Sequence, residues 1–273
     1  MNHWLPWTQP VAQRLVAQRE SLPHALLIHG SRGLGKGEFV MSLAQALLCA
    51  APSGDHACGH CHSCLLASAG SNPDLHVLQP DALTRREEGL RSRFAARYLA
   101  DSEEKKTKPS AVIAVDQVRD LIIAAQGRPQ IARCRVMVLY PAEALNHNAA
   151  NSLLKLLEEP PADTHLLLVS HEAERLLPTI RSRCSRVALP LPAHGEALAW
   201  LATAGVPADR AEPLLALAGG APLRAVDYFK EGFLELRSGL ARDLAALATG
   251  EGDPVTVAGQ WKSHGALRCL GWL

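Results

Sequence analysis

The chain has 273 residues, with 28 lysines and arginines against 27 aspartates and glutamates and a formal net charge of +1. That balance excludes a global basic field of the kind that draws in nucleic acid, so any DNA contact is expected to be local or supplied by partners. Hydrophobic residues make up 48% of the chain and no apolar run reaches membrane-spanning length, which predicts a globular protein of more than one domain with a sizeable core and a cytoplasmic home.

The first strong element is the apolar run Ala25-Leu26-Leu27-Ile28-His29, a short buried strand. It feeds Gly30-Ser31-Arg32-Gly33-Leu34-Gly35-Lys36-Gly37 and then a helix-like stretch over 38–48. Strand, glycine loop and helix together are the setting of a phosphate-binding loop. In such a loop, glycines let backbone N–H groups cradle phosphates, a lysine reaches the β and γ phosphates, and a Ser or Thr hydroxyl holds magnesium. Gly30, Gly35 and Lys36 meet the first two needs, whereas Gly37 has no hydroxyl. Two readings stand: a loop that still holds nucleotide without turning it over, and one that survives only as a tight strand-to-helix turn.

Four of the seven cysteines follow at Cys49, Cys58, Cys61 and Cys64, with two interposed residues in each of the last two gaps. A two-residue gap lets both sulfurs of a tight turn face one ion, so the spacing points to a structural zinc site. His56, His60 and His62 compete as ligands, but the all-cysteine set is the more regular. Cys134, Cys184 and Cys269 are isolated and read as small packed residues.

A second strand is expected over 75–79. The stretch 81–109 is then dense in charges of both signs, including Arg85-Arg86-Glu87-Glu88 and Glu103-Glu104-Lys105-Lys106, and predicts a solvated helical excursion or flexible insert. The next strand candidate, 136–139, ends in Tyr140-Pro141-Ala142-Glu143, where phosphate-loop ATPases keep an Asp for magnesium. Tyrosine and proline cannot coordinate the metal. Glu143 reads either as a displaced base or as an acid in the first turn of a helix. A further strand, 165–169, leads to Ser182-Arg183-Cys184 and a last strand over 185–189. Arg183 is the candidate for a guanidinium that stabilises a phosphoryl group held by a neighbouring subunit, with a solvated surface charge, shared with Arg181 and Arg186, as the alternative.

Alternating strands and helices predict an α/β domain with a parallel sheet over 1–190, carrying the cysteine module at 49–64. Pro190-Leu191-Pro192 marks a boundary to a helical region over 191–229, and 230–273 is helical again.

The 23–27 approach to the loop, the four-cysteine insert, the run Asn151-Ser152-Leu153-Leu154-Lys155-Leu156-Leu157-Glu158-Glu159-Pro160-Pro161 and Ser182-Arg183-Cys184 together resemble the delta-prime branch of the bacterial DNA polymerase III clamp-loader family, AAA+ proteins related to gamma and tau. The resemblance implies that 191–229 is the AAA+ lid, with Arg224 in a sensor-2-like segment, and that 230–273 is the start of a truncated collar. It implies that Arg183 reaches into the ATP site of an adjacent subunit, and that the chain lacks ATPase activity of its own while serving the polymerase holoenzyme, a nucleotidyltransferase complex. Implied partners are gamma/tau and delta in a hetero-oligomer, with the sliding clamp and primed DNA reached through the complex and no membrane involved. Two alternatives remain, an active gamma/tau-like ATPase and a zinc-dependent nucleic-acid-binding module.

Overall fold

The computed structural model describes residues 4–86, 90–99 and 109–264. The chain divides between Leu191 and Pro192 into two compact units.

The first unit is built in the order α1 (Gln9–Ala17), β1 (Ala25–His29), α2 (Lys36–Leu48), α3 (His62–Ala69), β2 (Leu75–Leu78), α4 (Asp81–Arg86), α5 (Leu90–Ala95), α6 (Val115–Ala125), β3 (Arg135–Leu139), α7 (His147–Glu158), β4 (Thr164–Ser170), α8 (Pro178–Arg181) and β5 (Ser185–Ala188). The strands form one parallel sheet in the order β2-β3-β4-β1-β5. β2, β3 and nearly all of β1 and β4 are buried, as parallel strands with covered faces must be, while β5 at the edge buries only Val187. Register aligns His29 with Ser170 and Leu139 with Leu168, so the chain leaves β1, β3 and β4 at one edge of the sheet. Ligand crevices of open parallel sheets lie at that carboxyl edge.

Each predicted strand is present, with ends displaced by one residue at most, but α2 begins at Lys36 rather than at 38. Gly35 explains the earlier start: with φ at +79° it turns the loop through a left-handed conformation directly into the helix. The charged stretch after β2 departs further from expectation. Its described part is helical, as expected, in α4 and α5, but it is not wholly solvated: α5 lies against β2 and buries Phe94 and Ala95, and in the turn that follows, the buried Tyr98 hydroxyl sits 2.6 Å from His76 Nδ1. Phe94 and Tyr98, four residues apart, share one helical face that the surrounding charges obscure. Glu87, Glu88 and 103–106 lie outside the described residues.

Helix α7 presents Ala149, Ala150, Leu153, Leu156 and Leu157 to the core that also takes in Ile180 and Cys184. Its start is capped by Asn146, whose side-chain oxygen accepts from the Ala149 N–H at 2.8 Å.

The second unit holds α9 (His194–Thr203), α10 (Ala208–Leu217), α11 (Pro222–Lys230), α12 (Phe233–Thr249) and α13 (Pro254–His264). Its core gathers Leu201, Leu214, Leu215, Ala225 and Val226, with Tyr228 and Phe233 stacked at 4.1 Å between ring centres. Among the described residues no helix is long and apolar enough to cross a membrane. Cys134 and Cys184 are buried as expected, and Cys269 lies outside the described residues.

Candidate functional site

The glycine loop leaves β1 at Gly30, where φ is +150° and an added Cβ would meet the Leu189 carbonyl oxygen at 2.9 Å. A side chain is therefore excluded there twice over, by conformation and by space. Trp7, a residue that no sequence motif singled out, supports the loop from below by donating its Nε1–H to the Leu34 carbonyl at 3.1 Å. Lys36 does not reach outward. Its Nζ donates to the carbonyls of Gly30 and Ser31, each at 2.6 Å, and the residue is 2% exposed. Burial lowers its pKa to about 8, against the nearby Glu143 charge, which raises it, and with that of Arg32, which lowers it further.

The ends of β3 and β4 complete this region. Glu143 stands in the 3-10 turn Ala142–Ala144, as the helix-turn reading expects, and its Oε1 accepts the His171 N–H at 3.0 Å. Its Oε2 and the Nδ1 of His171 are buried with no hydrogen-bond partner among the described residues. Burial, aided by the positive charge of Lys36, drives the His171 pKa down to about 3, so the imidazole is neutral at ordinary pH. Tyr140 packs edge-on to His171, with ring centres 5.5 Å apart. Where a phosphate-loop ATPase carries a hydroxyl and a metal-binding carboxylate, this region has Gly37, Tyr140 and Pro141, and Glu143, a carboxylate near them, already spends an oxygen on His171. The donor set does not fit magnesium.

The cysteines do converge. Cys49 closes the C-terminal end of α2, Cys58 and Cys61 lie in the following loop and Cys64 is in the first turn of α3. The four sulfurs lie within 4.8 Å of one another and could hold one metal ion. Cys49 to Cys61 and Cys58 to Cys64 are each 3.9 Å apart. A tetrahedron of thiolates at about 2.3 Å from a central zinc has edges of about 3.8 Å, so the spacing suits that ion. Backbone N–H groups of Cys58 and Cys61 point at the sulfurs of Cys49 and Cys58, at 3.2 and 3.3 Å, which favours their thiolate forms. His56 turns instead to Asp55, at 3.1 Å, and to the ring of Trp4.

Arg183 is exposed together with Ser182 on a turn that Ile180 and Cys184 anchor in the core. Its Nη2 pairs with Glu158 Oε1 at 2.6 Å and its Nη1 donates to the Thr179 carbonyl at 3.0 Å. Glu158, at the end of α7, is a partner that sequence reasoning missed. Arg181 pairs with Glu174. Arg224, in the second unit, donates from Nε to the Tyr228 hydroxyl at 2.7 Å and lies over that ring, the arrangement of a helix-surface pair.

Comparison with known proteins follows the same lines. Residues 10–192 match the family described as DNA polymerase III, delta subunit. The chain is 40% identical over 260 residues to DNA polymerase III subunit delta' of Pseudomonas aeruginosa, covering 94% of this chain and 71% of that protein. To the subunit delta' of Escherichia coli (strain K12) it is 33% identical over 245 residues, 89% of this chain and 66% of the other. Among solved structures, it is similar to the Aeropyrum pernix ORC1 protein in complex with DNA, with a TM-score of 0.50 and 17% identity over 88% of this chain and 61% of that one. This last likeness is one of fold.

Proposed function

The chain belongs to the DNA polymerase III delta-prime family and has an AAA+ fold, and from that premise we propose that it is a clamp-loader subunit that hydrolyses no ATP itself and lends Arg183 to the nucleotide site of an adjacent subunit. The observation that carries this reading is a division of labour within one unit. The positions for magnesium hold Gly37, Tyr140 and Pro141, while Arg183 stands exposed on a buried footing, its guanidinium oriented by Glu158. Arginine suits the role because it stays charged and can form several hydrogen bonds to the oxygens of a transferring phosphoryl group.

The same reading gives the four-cysteine module a structural zinc: four thiolates fill a tetrahedron and leave no open position for catalysis. Gamma/tau and delta subunits are the partners of this hetero-oligomer, residues 191–229 serve as its lid, and the sliding clamp and primed DNA are met through the assembly, in the cytoplasm.

The test is clamp- and DNA-stimulated ATP hydrolysis by a reconstituted loader. A trans arginine is worth about 10³ to 10⁵ in rate at a single site, and other subunits with arginines of their own dilute that figure in a ring. Arg183→Ala is expected to leave the subunit folded, metal-loaded and assembled while depressing hydrolysis by roughly tenfold or more. Unchanged rates in a complete ring would refute the assignment. The isolated chain is expected to show no hydrolysis above background.

A further inference from the structure

We propose that Arg91 is a built-in replacement for the magnesium ion, its guanidinium occupying the metal side of the glycine loop and closing the loop to magnesium-bound nucleotide. The proposal rests on the reading that this chain does not hydrolyse ATP, and supplies a physical cause for it.

In a working loop, the residue after the lysine carries the hydroxyl that ligates magnesium. Here that residue is Gly37, and a Cβ built on it would lie 2.2 Å from Arg91 Nη1, 3.4 Å from its Cζ and 3.6 Å from Tyr140 Cε2. The space for the hydroxyl, and for an ion beside it, is filled by the arginine. The side chain is held from two further directions. Its Nε donates to Gln79 Oε1 at 3.0 Å, and Gln79, 1% exposed, is fixed in turn by donating to Ser92 Oγ at 3.2 Å. Its Cζ lies 4.0 Å from the centre of the Tyr140 ring. A guanidinium over an aromatic face is attracted by the ring quadrupole, so Tyr140 supplies for an arginine the electrostatic partner that an aspartate supplies for a metal.

Three features of this unit thus work together. The missing side chain at position 37 makes room for the guanidinium, the ring at 140 stacks on it, and α5 delivers it, anchored on β2 through Phe94. The charge is permanent. With Lys36 and Arg32 also close enough to act on His171, a divalent cation entering beside Arg91 meets several positive charges, against which stand Glu143, engaged by the His171 N–H, and Glu172, engaged by Arg32.

The test is a double-variant cycle in the full chain, using Gly37→Ala and Arg91→Met, the methionine keeping an apolar stem. With Arg91 in place, Gly37→Ala must push the guanidinium off Gln79 and Tyr140, and a lowered melting temperature is expected. With Arg91→Met, the same change is expected to leave the melting temperature unaltered or raise it, since alanine is the better helix residue. Equal effects in both backgrounds would overturn the proposal. Binding of ATP, with magnesium and with EDTA, is the second readout. Gly37→Ser is expected to make binding about tenfold tighter with magnesium only when Arg91→Met is also present, a difference of about 1.4 kcal/mol. Magnesium-dependent tightening in Gly37→Ser alone, or its absence in the folded double variant, would count against closure by Arg91. Magnesium-dependent hydrolysis by the unaltered chain would sink both this proposal and the non-hydrolysing reading, whereas equal cycle effects without hydrolysis would sink this one alone.

Discussion

The two ends of helix α2 each arrange themselves around a positive charge, and they do so by opposite means. At the C-terminal end, Cys49 joins Cys58, Cys61 and Cys64 to surround a point where a metal ion fits. At the N-terminal end, the chain's own Lys36 turns back onto the Gly30 and Ser31 carbonyls, and Arg91 fills the space beside Gly37 where such loops elsewhere carry the metal-binding hydroxyl. Only 13 residues, about 20 Å of helix, separate them. The backbone turns differently at the two ends, left-handed at Gly35 and extended at Cys49. The larger difference lies in the donors: four thiolates at one end, and at the other a glycine, a ring and a carboxylate already engaged.

The comparison is most exposed to failure at the cysteines. Purified protein is expected to contain about one zinc per chain, and Cys61→Ser is expected to release it and open 49–64 to proteolysis, because metal binding worth about 10 to 16 kcal/mol is coupled to folding of such modules. Metal analysis decides the point; zinc-free protein with four freely reactive thiols would remove one side of the contrast. The next effect in size tests whether the two ends are independent. Leu43, fully buried midway along α2, is expected to cost about 3 kcal/mol of global stability when truncated in Leu43→Ala, with zinc content unchanged. Loss of the metal together with stability would mean that one cooperative unit spans both ends.

A smaller effect concerns Lys36 and pH. A lysine whose pKa is lowered to about 8 in the folded chain, from 10.5, holds its proton less tightly than in the unfolded chain. The unfolded state therefore binds more protons between those values, and folding gains stability as pH rises from about 8 to 10.5, the penalty being fully present below about 8. Relative to Lys36→Met, the unaltered chain is expected to gain on the order of 2 kcal/mol across that window, read by denaturant unfolding at each pH. A flat difference would show that Lys36 is not buried against the Gly30 and Ser31 carbonyls. The smallest effect is functional. Lys36→Ala is expected to leave clamp loading by the reconstituted assembly nearly unchanged, and a severe loss would return the loop to the working ATPases.

Much of this was legible in the residues themselves. The apolar runs in β1 to β4, the turn at Gly35 and the cysteine spacing each depend on neighbours within a few positions, where steric and hydrophobic preferences act directly. The four sulfurs meet because two-residue gaps in a tight turn allow little else. In Ser182-Arg183-Cys184 the packed cysteine was likewise readable, as was the exposed arginine in one of its two readings. The charged stretch after β2 was misleading, because a count of charges is blind to the one face that carries Phe94 and Tyr98.

What the residues alone determined is therefore the local chemistry: a sheet, a glycine loop without its hydroxyl, and a thiolate module. Only the tertiary structure decided what fills the loop. Arg91 reaches Gly37 because burial of Phe94 and Tyr98 draws α5 onto the edge strand β2, Trp7 reaches Leu34 across 27 residues of sequence, and Glu158 finds Arg183 where α7 ends beside α8. Such contacts have no period and no spacing rule. They follow from which apolar faces exclude water together, a property of the whole packed unit rather than of any segment in it.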